Sequence, residues 1–117
     1  MIFIKIGIIF CMLSVIIGAF GAHSLEDKIA DKMDTFKTGV QYQIFHGLAL
    51  MLTGILSINL DVDLSIVGYL FIIGIVLFSL SLYLIAVCKY SFLGMVAPLG
   101  GLSFIMACAL LLYKIGG

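Results

Sequence analysis

A small group of polar side chains interrupts the second apolar segment of this chain and could do chemistry. The group consists of Gln41, Tyr42, Gln43 and His46. His46 lies about 12 Å into the segment, counted from Thr38 at 1.5 Å per residue, and an ionisable side chain at that depth is costly unless it is hydrogen-bonded and faces other protein. His23 ends the preceding apolar run, so we expect both histidines to meet at one helix interface.

Three interpretations of this cluster remain open. One is a polar latch, in which these side chains hydrogen-bond neighbouring helices together without catalysis. Another is a pocket for a quinone or a lipid head group, with histidine or tyrosine donating to a carbonyl. The third is metal or haem ligation, which is poorly supported because two histidines without cysteine or an intramembrane carboxylate are an incomplete ligand set. We therefore predict no cofactor and no metal site.

Several classes of function lack the residues that they need. No apolar segment contains a carboxylate, so a proton relay across a membrane is not indicated, and the serines have no Asp–His pairing. The chain has no arginine, its six lysines are scattered and its net charge is zero, which excludes the electrostatic footprint of a nucleic-acid binder. The residues favour a non-enzymatic protein.

Composition identifies the environment of the chain. Of its residues 64% are hydrophobic and 10% are charged, whereas soluble domains carry about 25% charged residues. Four apolar segments are long enough to cross a bilayer. We predict an all-α membrane protein, a four-transmembrane-helix antiparallel bundle embedded in lipid, with spans over approximately 4–23, 38–59, 64–87 and 92–114.

The charged first connection predicts a further element. Leu25, Ile29, Met33 and Phe36 recur at helical spacing beside a charged face, which indicates a short amphipathic interfacial helix over approximately 25–36. Lysines are more numerous in the first and third connections than near the termini. We expect a multi-pass protein of the cell (plasma or inner) membrane. The positive-inside rule then places the first and third connections in the cytoplasm and both termini on the outer side of that membrane.

Small residues recur on two predicted helices and indicate where helices pack closely. In lipid, close contact through small residues associates helices, because burial of leucine gains little there. The stripes are Gly7, Cys11, Ser14, Gly18 and Gly21 in the first helix, and Gly94, Ala97, Gly101 and Cys108 in the fourth. Pro98 beside Gly100 and Gly101 predicts a kink or local unwinding. The three cysteines, Cys11, Cys88 and Cys108, are expected to be buried small apolar groups.

Four sequence motifs resemble a known family. The stretches 18–25, 36–50, 74–84 and 97–101 are similar to the bacterial membrane family named domain of unknown function 423, which eukaryotic transmembrane protein 256 also resembles. The resemblance implies a small four-helix membrane protein whose biochemical role is not established. It implies these motif positions: His23, Tyr42, Gln43, His46, Ser79, Ser81, Tyr83 and Pro98. Ser79 and Tyr83 therefore join the candidate latch or pocket.

These observations lead to one functional hypothesis and one alternative. The hypothesis is a non-enzymatic accessory, stabilising or oligomeric membrane component that acts through helix contacts, with a second copy or a larger membrane complex as its partner. The alternative is a ligand-binding or redox membrane protein that holds a quinone, lipid head group, haem or metal near His23, Tyr42 and His46.

Overall fold

The computed structural model describes residues 1–23 and 32–116, without the side chains of residues 22 and 23. Within these ranges the chain forms four long helices and no strand. They are α1 (Ile2–His23), α2 (Met33–Leu60), α3 (Ser65–Cys88) and α4 (Ala97–Gly116). The second to fourth helices follow one another through short connections, and all four segments are long and apolar enough to cross a membrane. The all-α, four-span architecture is confirmed.

The second helix starts earlier than its apolar segment. Residues 24–31, which carry most of the interfacial helix expected over 25–36, lie outside the described residues. Met33 and Phe36, assigned by the pattern to that helix, belong instead to the start of α2. The helix runs through Thr38 without a break, and the Thr38 hydroxyl donates to the Asp34 carbonyl oxygen over 2.8 Å, one turn back. The 28 residues of α2 extend about 42 Å.

The third helix contains a π-helical turn. Residues Ser65–Ile75 and Ser81–Cys88 are α-helical, and Val76–Leu80 between them is π-helical. A π-helical turn adds a residue to the helical ladder and rotates the faces of the later residues of the helix. Ser79 lies in this turn and is buried.

The fourth span begins with a change of helix type. A short 3-10 helix, Ser91–Met95, precedes α4. Pro98 is the second residue of α4, where its missing N–H costs nothing because first-turn donors have no intrahelical partner. The irregularity therefore lies ahead of Pro98, and Pro98 starts the helix where the sequence pattern predicts a kink.

The packing places α2 and α3 at the centre. Helix α1 packs chiefly on α2, and α4 packs chiefly on α3. The main buried apolar cluster joins α2, α3 and α4, and it consists of Leu50, Leu64, Val67, Phe71, Ile75, Phe104 and Ala107. A smaller cluster around Phe36 and Ala86 joins the start of α2 to the end of α3, and Ile17 of α1 packs against it. The described residues thus form an α1–α2–α3 junction and an α2–α3–α4 junction.

Close contacts at small residues hold α1 against α2. A Cβ atom on Gly7 of α1 would lie 2.7 Å from the Gly47 carbonyl oxygen of α2. One on Gly21 would strike the ring of Phe36. Ser14 is fully buried, and Gly18 faces Val40, so the small-residue stripe of α1 does face α2.

The packing stripe expected on the fourth helix is displaced. Gly94 has no heavy atom within 4 Å of a Cβ built on it, because it lies in the 3-10 helix before α4. Gly101 is only in ordinary contact distance of Phe78. The close approach to α3 is made by Gly100, against Gly74 and the Phe78 backbone. Neither Gly94 nor Gly101 therefore has the packing role that their spacing predicts.

The cysteines also depart from expectation. Cys11 is partly buried, and Cys88 and Cys108 are exposed on the helix surface. The expectation of burial was wrong for Cys88 and Cys108, because an apolar side chain in a membrane span can face hydrocarbon and need not enter the protein core.

We expect Gly100→Ala to destabilise the protein and Gly101→Ala to be tolerated. The new Cβ at position 100 would lie 2.5 Å from the Phe78 backbone nitrogen, whereas the one at position 101 meets its nearest atom at 3.9 Å. Overpacking of this kind costs about 1–3 kcal/mol. Unfolding by SDS in mixed micelles, followed by circular dichroism, measures the difference, and equal stability of the two variants would contradict this account of the α3–α4 contact.

The connection before α3 is organised by one carboxylate. Asp63 Oδ1 accepts hydrogen bonds from the Ser65 backbone N–H over 3.0 Å and from the Ser65 hydroxyl over 2.6 Å. The Lys114 ammonium donates to the Asp63 carbonyl oxygen over 3.2 Å. The Ser65 bonds, with a smaller contribution from the Lys114 charge, hold the pKa of Asp63 below its usual value.

A depressed carboxyl pKa makes this start of α3 sensitive to acid. Its stabilisation is present above the usual aspartate pKa and is lost as the pH falls through the lowered value. We expect Asp63→Asn to weaken this acid dependence in SDS unfolding experiments carried out at a series of pH values. The control is Asp61→Asn, which removes the same charge from the same connection without touching the Ser65 bonds. An unchanged acid dependence in Asp63→Asn would refute the role of this carboxylate.

Candidate functional site

Gln43 joins three helices at the α1–α2–α3 junction. Its Nε2 donates to the Phe10 carbonyl oxygen of α1 over 2.9 Å, and its Oε1 accepts from the Tyr83 hydroxyl of α3 over 2.5 Å. The side chain is 4% exposed. A single residue of α2 therefore links α1 and α3 through hydrogen bonds inside the membrane.

The chemistry of these partners determines the orientation of the amide. A backbone carbonyl accepts only, so the Gln43 NH₂ group must face Phe10, and the Tyr83 hydroxyl donates to the remaining oxygen. The Phe10 carbonyl also accepts from the Ser14 hydroxyl over 2.8 Å. No buried side-chain nitrogen or oxygen in the described part of the chain lacks a partner, so this network is complete.

A second hydrogen bond reinforces the α2–α3 side of this junction. The Ser79 hydroxyl donates to the Gly39 carbonyl oxygen over 2.8 Å and is buried. Gly39 also lets the ring of Tyr83 lie on α2, since a Cβ there would be 2.8 Å from Tyr83 Cε1. Gln43, Ser79 and Tyr83 from the candidate set are thus brought together, with Gly39 and Phe10 as backbone partners.

His46 and Tyr42 lie at the α2–α3–α4 junction. The spacing on α2 suggested one shared face for Tyr42, Gln43 and His46, but the structure divides them. Successive helical residues are rotated by about 100°, so Tyr42 and His46 project within about 40° of each other while Gln43 projects further round toward α1. The histidine is therefore not hydrogen-bonded to Gln43 and takes no part in the link between α1 and α3.

His46 is held by its own helix and by an aromatic ring of α4. Its Nδ1 lies 2.9 Å from the Tyr42 carbonyl oxygen, one turn earlier. Its ring stacks on Phe104, with centroids 3.6 Å apart and planes inclined by 10°. Phe71 of α3 and the Tyr42 ring lie at 6.0 and 5.7 Å. The imidazole is thus enclosed by aromatic rings on a partly buried surface.

A lateral groove of about 680 Å³ opens beside this stack. Such a volume is within the range of small-molecule sites, about 300–1,000 Å³. The lining residues are Tyr42, His46, Phe78, Pro98, Gly101, Leu102, Phe104, Ile105 and Cys108. Leu102 and Ile105 are more than half exposed, so the groove opens toward the surrounding lipid. Its polar atoms come from Tyr42 and His46, and its walls are otherwise apolar.

The remaining candidates lie elsewhere. Gln41 is exposed and lies beside Lys37 and Gly18 in a separate shallow depression. The His23 side chain is outside the described residues, so the expected meeting of the two histidines falls outside them too. In the described part of the chain no three His, Cys, Asp or Glu residues are grouped as metal ligands.

Sequence reasoning missed the aromatic residues of the groove. Phe104 and Phe78 come from α4 and α3, and an apolar residue in an apolar segment carries no signal of its own. The spacing of Phe104 from Gly100 and Ala97, at three- and four-residue steps, could have placed it on the packed face of α4.

The hydroxyl of Tyr83 should contribute measurably to stability. We expect Tyr83→Phe to lower the free energy of unfolding by about 0.6–1.7 kcal/mol, the range measured for hydrogen bonds inside membranes, because Gln43 Oε1 then loses its donor. Tyr113→Phe is the matched control, since Tyr113 is 77% exposed. SDS unfolding measures both, and a double-mutant cycle with Gln43→Leu isolates the coupling. A coupling of zero would show that the bond does not stabilise the junction.

Comparison with known proteins identifies the family. A profile described as "Protein of unknown function (DUF423)" matches residues 17–101. The UPF0382 membrane protein YwdK of Bacillus subtilis is 45% identical over 109 residues, which cover 91% of this chain and 89% of the relative. The UPF0382 membrane protein SH2409 of Staphylococcus haemolyticus is 41% identical over 111 residues, covering 94% and 91%. No solved structure matches the chain. The resemblance found in the four motifs is confirmed: this chain is a membrane protein of the DUF423 family of unknown function.

Proposed function

We propose that this protein binds a neutral, weakly polar molecule that is dissolved in the bilayer, and holds it in the lateral groove beside His46. The observation that carries the proposal is the separation of the two junctions. Gln43, Ser79 and Tyr83 supply the hydrogen bonds between α1, α2 and α3. His46 and Tyr42 are not needed for that purpose, and they face a groove of ligand size.

Depth narrows the chemistry of the ligand. His46 lies about 12 Å from the start of the charge-free part of α2, close to the middle of a hydrocarbon layer about 30 Å thick. A charged lipid head group is costly at that depth. A compact aromatic or isoprenoid compound with one or two neutral polar groups is compatible with both the depth and the aromatic walls. The depth of His46 and the aromatic walls therefore favour a quinone-like molecule over a lipid head group among the alternatives raised by the sequence.

The proposed role is non-enzymatic and belongs to the cell membrane. The described residues offer a histidine and a tyrosine at the groove but no carboxylate near them, since Asp34, Asp61 and Asp63 lie at the ends of the helices. Binding, storage or presentation of a membrane-dissolved molecule requires no further group. The bacterial relatives named as membrane proteins are consistent with a plasma or inner membrane location.

An accessory or oligomeric role is the second candidate. Faces of small residues on the helices suggest this role in the sequence. The face on α1 already packs against α2 of the same chain. The role is supported by the exposed small-residue position that remains, Gly94, in the turn before α4. Gentle extraction followed by size determination tests it, and a strict monomer with no co-purifying protein would count against it.

Filling the groove should abolish binding. Leu102 and Leu99 are both exposed on α4, at 53% and 57%, but only Leu102 lines the groove. We expect Leu102→Trp to raise the dissociation constant of a tetramethylbenzoquinone probe, supplied in oxidised and reduced form, by about tenfold or more, equivalent to at least about 1.4 kcal/mol, as read from its occupancy over a concentration series. Leu99→Trp should bind as the wild type does.

Native mass spectrometry from detergent micelles measures this occupancy, and organic extraction of the purified wild type identifies any molecule that accompanies it from the cell. Circular dichroism confirms that both variants are folded. If neither form of the probe binds the wild type, or if both tryptophan variants bind equally, the groove is not a binding site for this class of molecule.

A further inference from the structure

The hydrogen bond made by His46 determines what its other ring nitrogen can do. The Tyr42 carbonyl oxygen accepts only, so the 2.9 Å contact requires a proton on His46 Nδ1. A charged side chain is costly in hydrocarbon, so the neutral imidazole is the relevant form. In a neutral imidazole with a proton on Nδ1, Nε2 carries a lone pair and acts as an acceptor.

The acceptor faces away from α2. The two ring nitrogens flank Cε1 and point in strongly divergent directions in the ring plane, and Nδ1 is directed at the carbonyl of the histidine's own helix. Among the described residues none is hydrogen-bonded to Nε2, and the ring itself lines the groove. A molecule in the groove therefore meets a hydrogen-bond acceptor at this point, where the sequence interpretation expected histidine to donate to a ligand carbonyl.

The walls of the groove specify a flat partner. The ring of His46 lies parallel to Phe104, and Tyr42 lies 4.7 Å from Phe78 between ring centroids. Each of these pairs is already in contact, so a further aromatic ring would lie against the outward edges and faces that the rings present to the groove. A planar molecule that also carries a hydroxyl donor satisfies both the aromatic walls and the Nε2 acceptor.

We infer that the groove selects the hydroquinone form of a quinone-type molecule over its oxidised form. The inference rests on the proposed function and adds a specificity to it. A hydroquinone hydroxyl donates to His46 Nε2, whereas the carbonyl of a quinone places a second acceptor against the first. The two forms share one carbon skeleton, so their preference depends on hydrogen bonds, and the bond to His46 Nε2 is open to the reduced form alone. His46 is the specificity-determining residue, and it binds the ligand without transferring electrons.

The test compares tetramethylhydroquinone with tetramethylbenzoquinone on the full-length protein in detergent, under argon, by native mass spectrometry. We expect the wild type to bind the reduced form about 3- to 18-fold more tightly, as one hydrogen bond inside a membrane implies. His46→Phe keeps an aromatic ring against Phe104 and should lose the preference.

Tyr42→Phe tests the other polar side chain of the groove, because the Tyr42 hydroxyl can donate to a quinone carbonyl while its backbone carbonyl stays in place. This variant should bind the oxidised form less tightly, so its preference for the reduced form should increase, and a lost preference would contradict the role of His46 Nε2. An independent readout is the ¹⁵N spectrum of the His46 ring, in which Nδ1 should carry the proton and Nε2 should not.

The outcomes separate the two proposals. Equal binding of both forms by the wild type, or a proton found on Nε2, overturns the selectivity and leaves groove binding intact. Binding of neither form overturns the proposed function itself. A preference that persists in His46→Phe removes the histidine from the mechanism.

Discussion

The hydrogen bonds of Gln43 are the constraint on which the arrangement of the other helices depends. Inside a bilayer, apolar side chains gain little by facing protein rather than lipid, so polar links and close packing determine how helices associate. Gln43 contributes one donor to α1 and one acceptor to α3. An amide left without partners at this depth would be costly, and this cost holds α1, α2 and α3 in one register.

The glycines make this register geometrically accessible. Gly39 brings the Tyr83 ring against α2, and Gly7 and Gly47 bring the backbones of α1 and α2 together, so short hydrogen bonds can form between helices. The π-helical turn of α3 carries Ser79, which is bonded to the Gly39 carbonyl four residues before Gln43. Polar links and small residues thus act together, because the hydrogen bonds form only where glycines let the helices approach closely.

His46 takes no part in the hydrogen bonds that join α1, α2 and α3. The α1–α2–α3 junction is complete without it, and its ring instead borders the groove between α2 and α4 with Phe104 stacked on it. An intramembrane histidine that makes no hydrogen bond to another helix, and whose remaining nitrogen is turned away from its own backbone, is costly in hydrocarbon unless a partner reaches that nitrogen. The family carries no established role, and the ligand proposed for the groove would be that partner.

Hydropathy alone determined the four spans, since segment length and the absence of charge follow directly from the sequence, and the polar positions of α2 were identified as the candidate site. Only the tertiary structure decided which neighbour each of them meets. Tyr42, Gln43 and His46 project within about 100° of one another on α2, and that arc faces α1, α3 and α4 in turn. The rotation of α2 against its neighbours depends on contacts such as Gln43 with Tyr83 and His46 with Phe104, which periodicity along a single helix does not contain.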